Sequence, residues 1–385
     1  MPLSDIVKLT QKLITFNTIN PPGNESDIAL FVGKLLSGSG FSVKYPVFAE
    51  KRLHLIAEKG LSKLAPPVVL SGHFDTVPLG AKKWDLDPLA GDISGDKIYG
   101  RGSSDMKSGV AAMIHAAISS FENNQPLGGV RLIFTAGEEL GCQGAIQLAE
   151  TYNNFGEASV IIIGEPTSNI PAIGHKGALY LNAYVAGVTA HSSMPELGEN
   201  AIYKAARAIR IIEKFSFGVE KDSLLGFPTV NVGKMNGGMN INSVPDHAEF
   251  TIDIRSTGKV VHKEVIAKLN KDFGDDIKLE ILVDLKPVRT NEADPIVQKV
   301  YAICKEEGVK GVSPKSLPYM TDGSVLQSLY NGAPTIILGP GQPEMAHQTD
   351  EFCYIQNIKQ AVNIYKKIIL KTGEKNDGLS GKNSE

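Results

Sequence analysis

Cysteine is scarce in this chain, and the three present, Cys142, Cys304 and Cys353, are scattered, odd in number and free of CxxC spacing. That argues against a disulfide framework and against a thiolate zinc site, and leaves them as small buried residues. A strong charge imbalance is missing too: the formal net charge of -3 gives none of the basic footprint that nucleic-acid binding needs. No run is long and apolar enough to span a bilayer, and Met1-Pro2-Leu3-Ser4-Asp5-Ile6-Val7-Lys8 lacks the basic start and apolar core of a secretion signal. A cytoplasmic protein with neither nucleic-acid nor membrane partners is expected. Gly100-Arg101-Gly102 does not continue as GxGxxG or as a P-loop, which weakens a nucleotide-binding reading.

What is present is ample core. At 385 residues, 42% hydrophobic and 21% charged, the chain exceeds a single core and reads as two globular domains. Short branched apolar runs bounded by Gly and Pro, such as Val68-Val69-Leu70, Leu132-Ile133-Phe134, Val160-Ile161-Ile162-Ile163 and Thr335-Ile336-Ile337-Leu338, predict buried parallel strands. Helical spacing over Ile6 to Phe16, Glu25 to Ser37, Lys107 to Phe121, Pro295 to Glu307 and Gln356 to Leu370 alternates with them. The expected fold is α/β, a mixed and mostly parallel sheet with helices on both faces. Between about 177 and 286 the order becomes β-α-β-β-α-β, a ferredoxin-like α+β insertion. The first domain therefore spans 1–176 and 287–371, the insertion spans 177–286, and the Gly-, Lys- and Asn-rich segment 372–385 is expected to be a mobile tail.

The strand endings carry the chemistry. In open α/β sheets ligands sit beyond the carboxyl ends of the strands, and there this chain places His73 and Asp75, Asp105, Glu138 and Glu139, Glu165, and His347. Four carboxylates and two imidazoles cannot share one site without a compensating cation. A mixed N/O set suits Zn²⁺, with Mn²⁺ or Co²⁺ as the other metals that accept it. The count exceeds one tetrahedral ion, and two ions sharing a bridging carboxylate, roughly 3.5 to 4 Å apart, is the hydrolytic arrangement. Of Glu138 and Glu139, one can bind metal while the other serves as general base. Asp75, two residues after His73, can accept that ligand's spare ring N–H and fix its tautomer. His54 and His115 read as packing.

With these residues in hand, the chain resembles the M20 metallopeptidases, in particular the acetylornithine deacetylase and succinyl-diaminopimelate desuccinylase branch. Ser71-Gly72-His73-Phe74-Asp75-Thr76-Val77-Pro78, Gly100-Arg101-Gly102-Ser103-Ser104-Asp105-Met106-Lys107, Thr135-Ala136-Gly137-Glu138-Glu139, Gly164-Glu165-Pro166-Thr167 and Ala346-His347-Gln348-Thr349-Asp350-Glu351 carry the resemblance. It implies two Zn²⁺ per subunit, one held by His73, Asp105 and Glu165 and the other by Asp105, Glu139 and His347, with Glu138 as base and Asp75 behind His73. It also implies that the insertion is a lid through which two subunits form a homodimer, that His191 of Ala190-His191-Ser192-Ser193 reaches the partner's active site, and that Arg255 and Asn242 bind the substrate carboxylate. The implied reaction is deacylation of a small N-acyl amino acid, of the N-acetyl-ornithine or N-succinyl-diaminopimelate type. The alternative within the fold is a carboxypeptidase or dipeptidase acting on small peptides with a free C-terminus. The ligands and the candidate base count against a non-catalytic binding protein. Tyr319-Met320 stands where many desuccinylase-like members carry small residues, which favours N-acyl amino acids in general over N-succinyl ones.

Overall fold

Each branched apolar run becomes a strand, and the strands set the direction in which the polar residues leave the sheet. The computed structural model describes residues 5–152 and 155–372; the expected tail therefore lies outside the described residues, apart from Thr372. Two units separate: Met1–Ile173 with Thr290–Lys315 and Thr321–Glu385, and Gly174–Arg289 with Ser316–Met320.

The first unit is built on a six-stranded mixed sheet in the order Ser42–Lys44, Leu55–Lys59, Val130–Thr135, Val68–His73, Val160–Ile163, Thr335–Ile337. The last four strands in that order are parallel, whereas Leu55–Lys59 and Ser42–Lys44 join antiparallel at one edge. Every residue of the four parallel strands is buried, as expected for strands covered on both faces. Their register pairs Val68 with both Val130 and Val160, so the chain segments after His73, Thr135 and Ile163 all emerge at one edge. That shared exit is what the fold contributes to the site.

Helices follow the expected spans with small shifts: Ile6–Ile14, Ser26–Gly38, Ser108–Ser119, Pro295–Glu306 and Ile355–Lys371. Local caps explain two of the starts. The Asp5 carboxylate accepts the Lys8 N–H, and Asp294 accepts the Ile296 N–H ahead of Pro295 in the first turn. Two short helices, Gln143–Thr151 and Gly323–Leu329, did not show in the sequence pattern. Each buries a single large apolar side chain, Leu148 and Leu326, too few for a period to repeat. Among the described residues no helix is long and apolar enough to cross a membrane.

The second unit is a four-stranded antiparallel sheet in the order Thr229–Gly237, His247–Ser256, Gly177–Ala186, Ile277–Leu285, with helices Ala201–Glu213 and His262–Phe273. Alternation puts Leu179, Leu181, Ala183 and Val185 on one face, where they pack with Phe250, Ile252 and the helical stripe Ala201, Ala205, Ala208 and Ile212. The unit is wider than the alternation suggested. Gly174–His175 pairs antiparallel with Val288–Arg289, and this two-residue ladder extends the unit at both ends. Ser316–Met320, including Tyr319 and Met320, also belongs to it. Leu181 is fully buried in this core. Leu181→Ala should lower the unfolding free energy by about 2–5 kcal/mol, measured by urea denaturation; an unchanged midpoint would contradict the packing described.

Candidate metal centre

His73 ends its strand and points its Nε2 to Asp105 Oδ1 at 3.2 Å and Glu165 Oε1 at 3.6 Å. On the other side of the same carboxylate, His347 Nε2 lies 3.6 Å from Asp105 Oδ2 and 3.1 Å from Glu139 Oε2. Asp105 thus divides its two oxygens between two imidazole–carboxylate pairs. Ligand atoms about 2.0–2.2 Å from one tetrahedral cation are about 3.4 Å apart, which is the spacing seen in both groups. Glu139 Oε1 is buried with no hydrogen-bond partner, an orphaned acceptor that fits a cation rather than a closed hydrogen-bond network. The five side chains come from five separate stretches of the first unit, and all but His347, which is exposed, are largely buried.

The loops that present these ligands are held by side chains of their own. Gly137 adopts φ +81°, and a Cβ there would come within 2.8 Å of Phe48 Cε1, so glycine is required. The following backbone N–H groups converge: Gly137 and Glu138 donate to Asp75 Oδ1 at 2.9 and 3.1 Å, and Glu139 donates to Asp75 Oδ2 at 3.1 Å. Asn20 Nδ2 donates to the same carboxylate at 2.8 Å. The sequence-based expectation placed Asp75 behind His73, and both its backbone and its carboxylate lie on that side of the ring. His73 Nδ1 makes its hydrogen bond to the Asp75 carbonyl oxygen at 2.9 Å, whereas the carboxylate lies 3.6 Å away and is engaged by the Glu138–Glu139 turn. His54 also does more than pack. Its Nδ1 accepts the Ala136 N–H at 3.1 Å, one residue before that turn, and burial pushes its pKa down to about 4, so it stays a neutral acceptor.

Electrostatics separate the carboxylates. Burial pushes Glu138 well above the usual carboxylate range, reinforced by Asp322, Glu139 and Asp75 and opposed by His73. Burial, with Asp105 beside it, raises Glu139 to about 7 and Glu165 well above its ordinary value. Asp105 goes the other way: burial pushes it up, but the hydrogen bond and charge of His73 and the charge of His347 bring it below the normal value. Burial works against a charged His73, yet Glu165 and Asp105 hold its pKa well above normal.

Glu138 faces a second, smaller group. Cys142 Sγ donates to Glu138 Oε1 at 3.5 Å, and Asp322, 1% exposed, accepts the Thr135 hydroxyl at 2.5 Å. Asp322 is not among the site residues read from the sequence; a buried Asp leaves no mark in hydropathy. All three cysteines are buried and unpaired by disulfides.

The remaining sequence candidates belong to the second unit. His191 is exposed in a loop; Ser193 N–H donates to its Nδ1 at 3.2 Å, so Nε2 carries the proton in the neutral ring. Asn242 is exposed and its carbonyl accepts the Ser192 N–H at 3.0 Å, which ties the two loops together. Arg255 lies over the Tyr180 ring and forks onto Asp253, with Nε–Oδ1 at 2.8 Å and Nη2–Oδ2 at 3.2 Å. A substrate carboxylate at Arg255 therefore has to compete with Asp253.

Cation uptake requires Glu139 to lose its proton and the two histidines to be neutral. Because the Glu139 pKa is raised to about 7 and those of His73 and His347 are also raised, affinity should weaken as the pH falls through 7. Competition titrations against a chromogenic chelator at pH 8 and pH 6 measure this, and equal affinities at both would refute it.

The chain is similar to known proteins over nearly its whole length. Residues 69–371 match the family described as Peptidase family M20/M25/M40. The chain is 30% identical to a probable succinyl-diaminopimelate desuccinylase from Staphylococcus epidermidis, covering 94% of this chain and 96% of that one. It is 29% identical to an acetylornithine deacetylase from Vibrio cholerae, covering 96% and 99%. Its fold is similar to that of an M20 family metallo-carboxypeptidase from Sulfolobus solfataricus, with a TM-score of 0.79, 18% identity and coverage of 96% and 99%. With a family match over most of its length and relatives aligned nearly end to end, the chain belongs to peptidase family M20/M25/M40, a family of hydrolases.

Proposed function

We propose that this hydrolase is a two-zinc amidohydrolase that removes the acyl group from the nitrogen of a small N-acyl amino acid, of the N-acetyl-ornithine or N-succinyl-diaminopimelate type. The observation that carries the reading is the division of the Asp105 oxygens between His73 with Glu165 and His347 with Glu139, beside a further buried carboxylate, Glu138, outside both pairs. The named relatives supply the substrate class. Zn²⁺ suits the mixed imidazole and carboxylate donors, and Co²⁺ or Mn²⁺ can replace it.

Two cations held there would acidify a water and polarise the amide carbonyl. His73, Asp105 and Glu165 would hold one cation, and Asp105, Glu139 and His347 would hold the other. Glu138 accepts the proton of the attacking water and delivers it to the leaving amine, a task that suits a carboxyl whose pKa burial holds well above the usual carboxylate range. Asp75 keeps Glu138 and Glu139 in their different directions by holding the turn between them. His191, with a proton on Nε2, donates to the developing oxyanion of a partner subunit's substrate in a homodimer formed through the second unit. Arg255 and Asn242 take the substrate carboxylate.

Glu138→Gln should bind cations like the wild type while its turnover of an N-acetyl and N-succinyl amino-acid panel falls by about 10²-fold or more. Equal turnover by the two proteins would exclude Glu138 as the base. The resemblance in fold to a metallo-carboxypeptidase supports a second reading, cleavage of small peptides, so the panel includes dipeptides. The dimer has its own test. Mixing inactive Glu138→Gln and His191→Ala proteins, after subunit exchange, should restore about a quarter of wild-type activity, because half of the dimers then contain one complete site. A mixture as inactive as its parts would rule out a site shared between subunits.

A further inference from the structure

Two conspicuous pieces of sequence have no part in that reaction: Gly100-Arg101-Gly102, and Glu351 at the end of the His347 segment. In the structure they meet. Glu351 is fully buried, and its carboxylate is saturated by donors. Oε1 accepts the N–H groups of Ser104 at 2.7 Å and Asp105 at 2.9 Å, and Oε2 accepts the Gly102 N–H at 3.0 Å and Arg101 Nη1 at 2.6 Å. Gly102 stands at φ +87°, where a Cβ would meet Thr76 Cγ2 at 2.8 Å, so this backbone curls into a concave array of N–H groups around an anion. The anion is a side chain of the protein itself.

Arg101 completes the arrangement. It is 1% exposed, and besides Glu351 it donates to the carbonyls of Gln348 at 3.3 Å and Pro78 at 3.1 Å, with its guanidinium 5.2 Å from the Trp84 ring. Gly100 N–H donates to the Glu351 carbonyl at 2.9 Å, and Ser104 Oγ to the Phe352 carbonyl at 2.7 Å. The stretch that ends in Asp105 is therefore laced to the stretch that begins at His347 through Gln348, Glu351 and Phe352, while Pro78, Trp84 and Pro88 hold Arg101 from elsewhere. We infer that Glu351 is a positioning residue for the metal centre: it fixes the backbone from which Asp105 projects and, with Arg101, the spacing between Asp105 and His347. The inference rests on the two-cation reading above. It assigns Glu351 no contact with substrate or cation.

A carboxylate is needed there because a neutral side chain cannot serve all four donors. In Glu351→Gln the amide group turns an N–H₂ toward N–H donors and leaves Arg101 buried without its counter-charge. Glu351→Asp keeps the anion with a shorter reach.

The test is stepwise Zn²⁺ binding by calorimetry to metal-stripped, full-length wild type, Glu351→Gln and Glu351→Asp, together with the melting temperature of each metal-free protein. The wild type should take up two cations. In Glu351→Gln at least one step should weaken by about 10- to 100-fold, the size of effect seen when groups that orient metal ligands are removed, and Glu351→Asp should recover part of that loss. A residue that merely stabilises the fold would lower the metal-free melting temperature and leave both affinities as in the wild type, and that result overturns the inference. Should Glu351→Gln not fold, Arg101→Lys keeps a cation but loses the fork to Gln348 and Pro78; unchanged affinities there are equally fatal. A wild type that binds fewer than two cations instead defeats the two-cation reading itself, whatever the variants do.

Discussion

Acidic groups crowded out of water are the constraint from which the rest of this structure follows. Asp105, Glu138, Glu139 and Glu165 share a buried space with Asp75 and Asp322 close by, and burial is the largest influence on each of the four. Such a group of side chains is costly to assemble unless something else favours it. In this chain the carboxyl ends of parallel strands supply the position, and curled backbone supplies fixed N–H dipoles. Asp75 and Glu351 are each satisfied by three main-chain N–H groups, so their negative charges are balanced locally and add rigidity to the loops that carry Glu138, Glu139 and Asp105. The charge left over, on groups whose partners are only one another, is what a cation would neutralise.

Much of this was legible in the residues. Branched apolar runs marked the parallel strands, and their abrupt polar endings pointed to His73, Glu138, Glu139 and Glu165 because a core strand has no other reason to end that way. The insertion was visible as a change from continuous to alternating apolar pattern near Gly177. What was not legible falls into two kinds. Gln143–Thr151 and Gly323–Leu329 are helices that bury only one large apolar side chain each, so no repeat marks them. The second kind is buried polar pairing at long separation. Asp322 meets Thr135 across 187 positions, and Arg101 meets Glu351 across 250, and no local pattern encodes either partner. Asp75 shows the limit most clearly. Its proximity to His73 in sequence suggested a hydrogen bond to that ring, and the carboxylate instead serves a turn more than sixty positions away.

The short ladder between Gly174–His175 and Val288–Arg289 bears on how the chain tolerates its insertion. Just outside the ladder, Thr290 N–H donates to the Ile173 carbonyl at 2.8 Å, so the first unit leaves and resumes at hydrogen-bonded neighbours. To the strand-end residues the interruption is therefore equivalent to a tight turn. The entropy of bringing His347 and Glu351 back to Asp105 is set by that turn once the insertion has folded, and grows only logarithmically with loop length before then. The inserted unit can thus lengthen, shorten or diverge in sequence at little cost to the strand-end side chains that meet at Asp105.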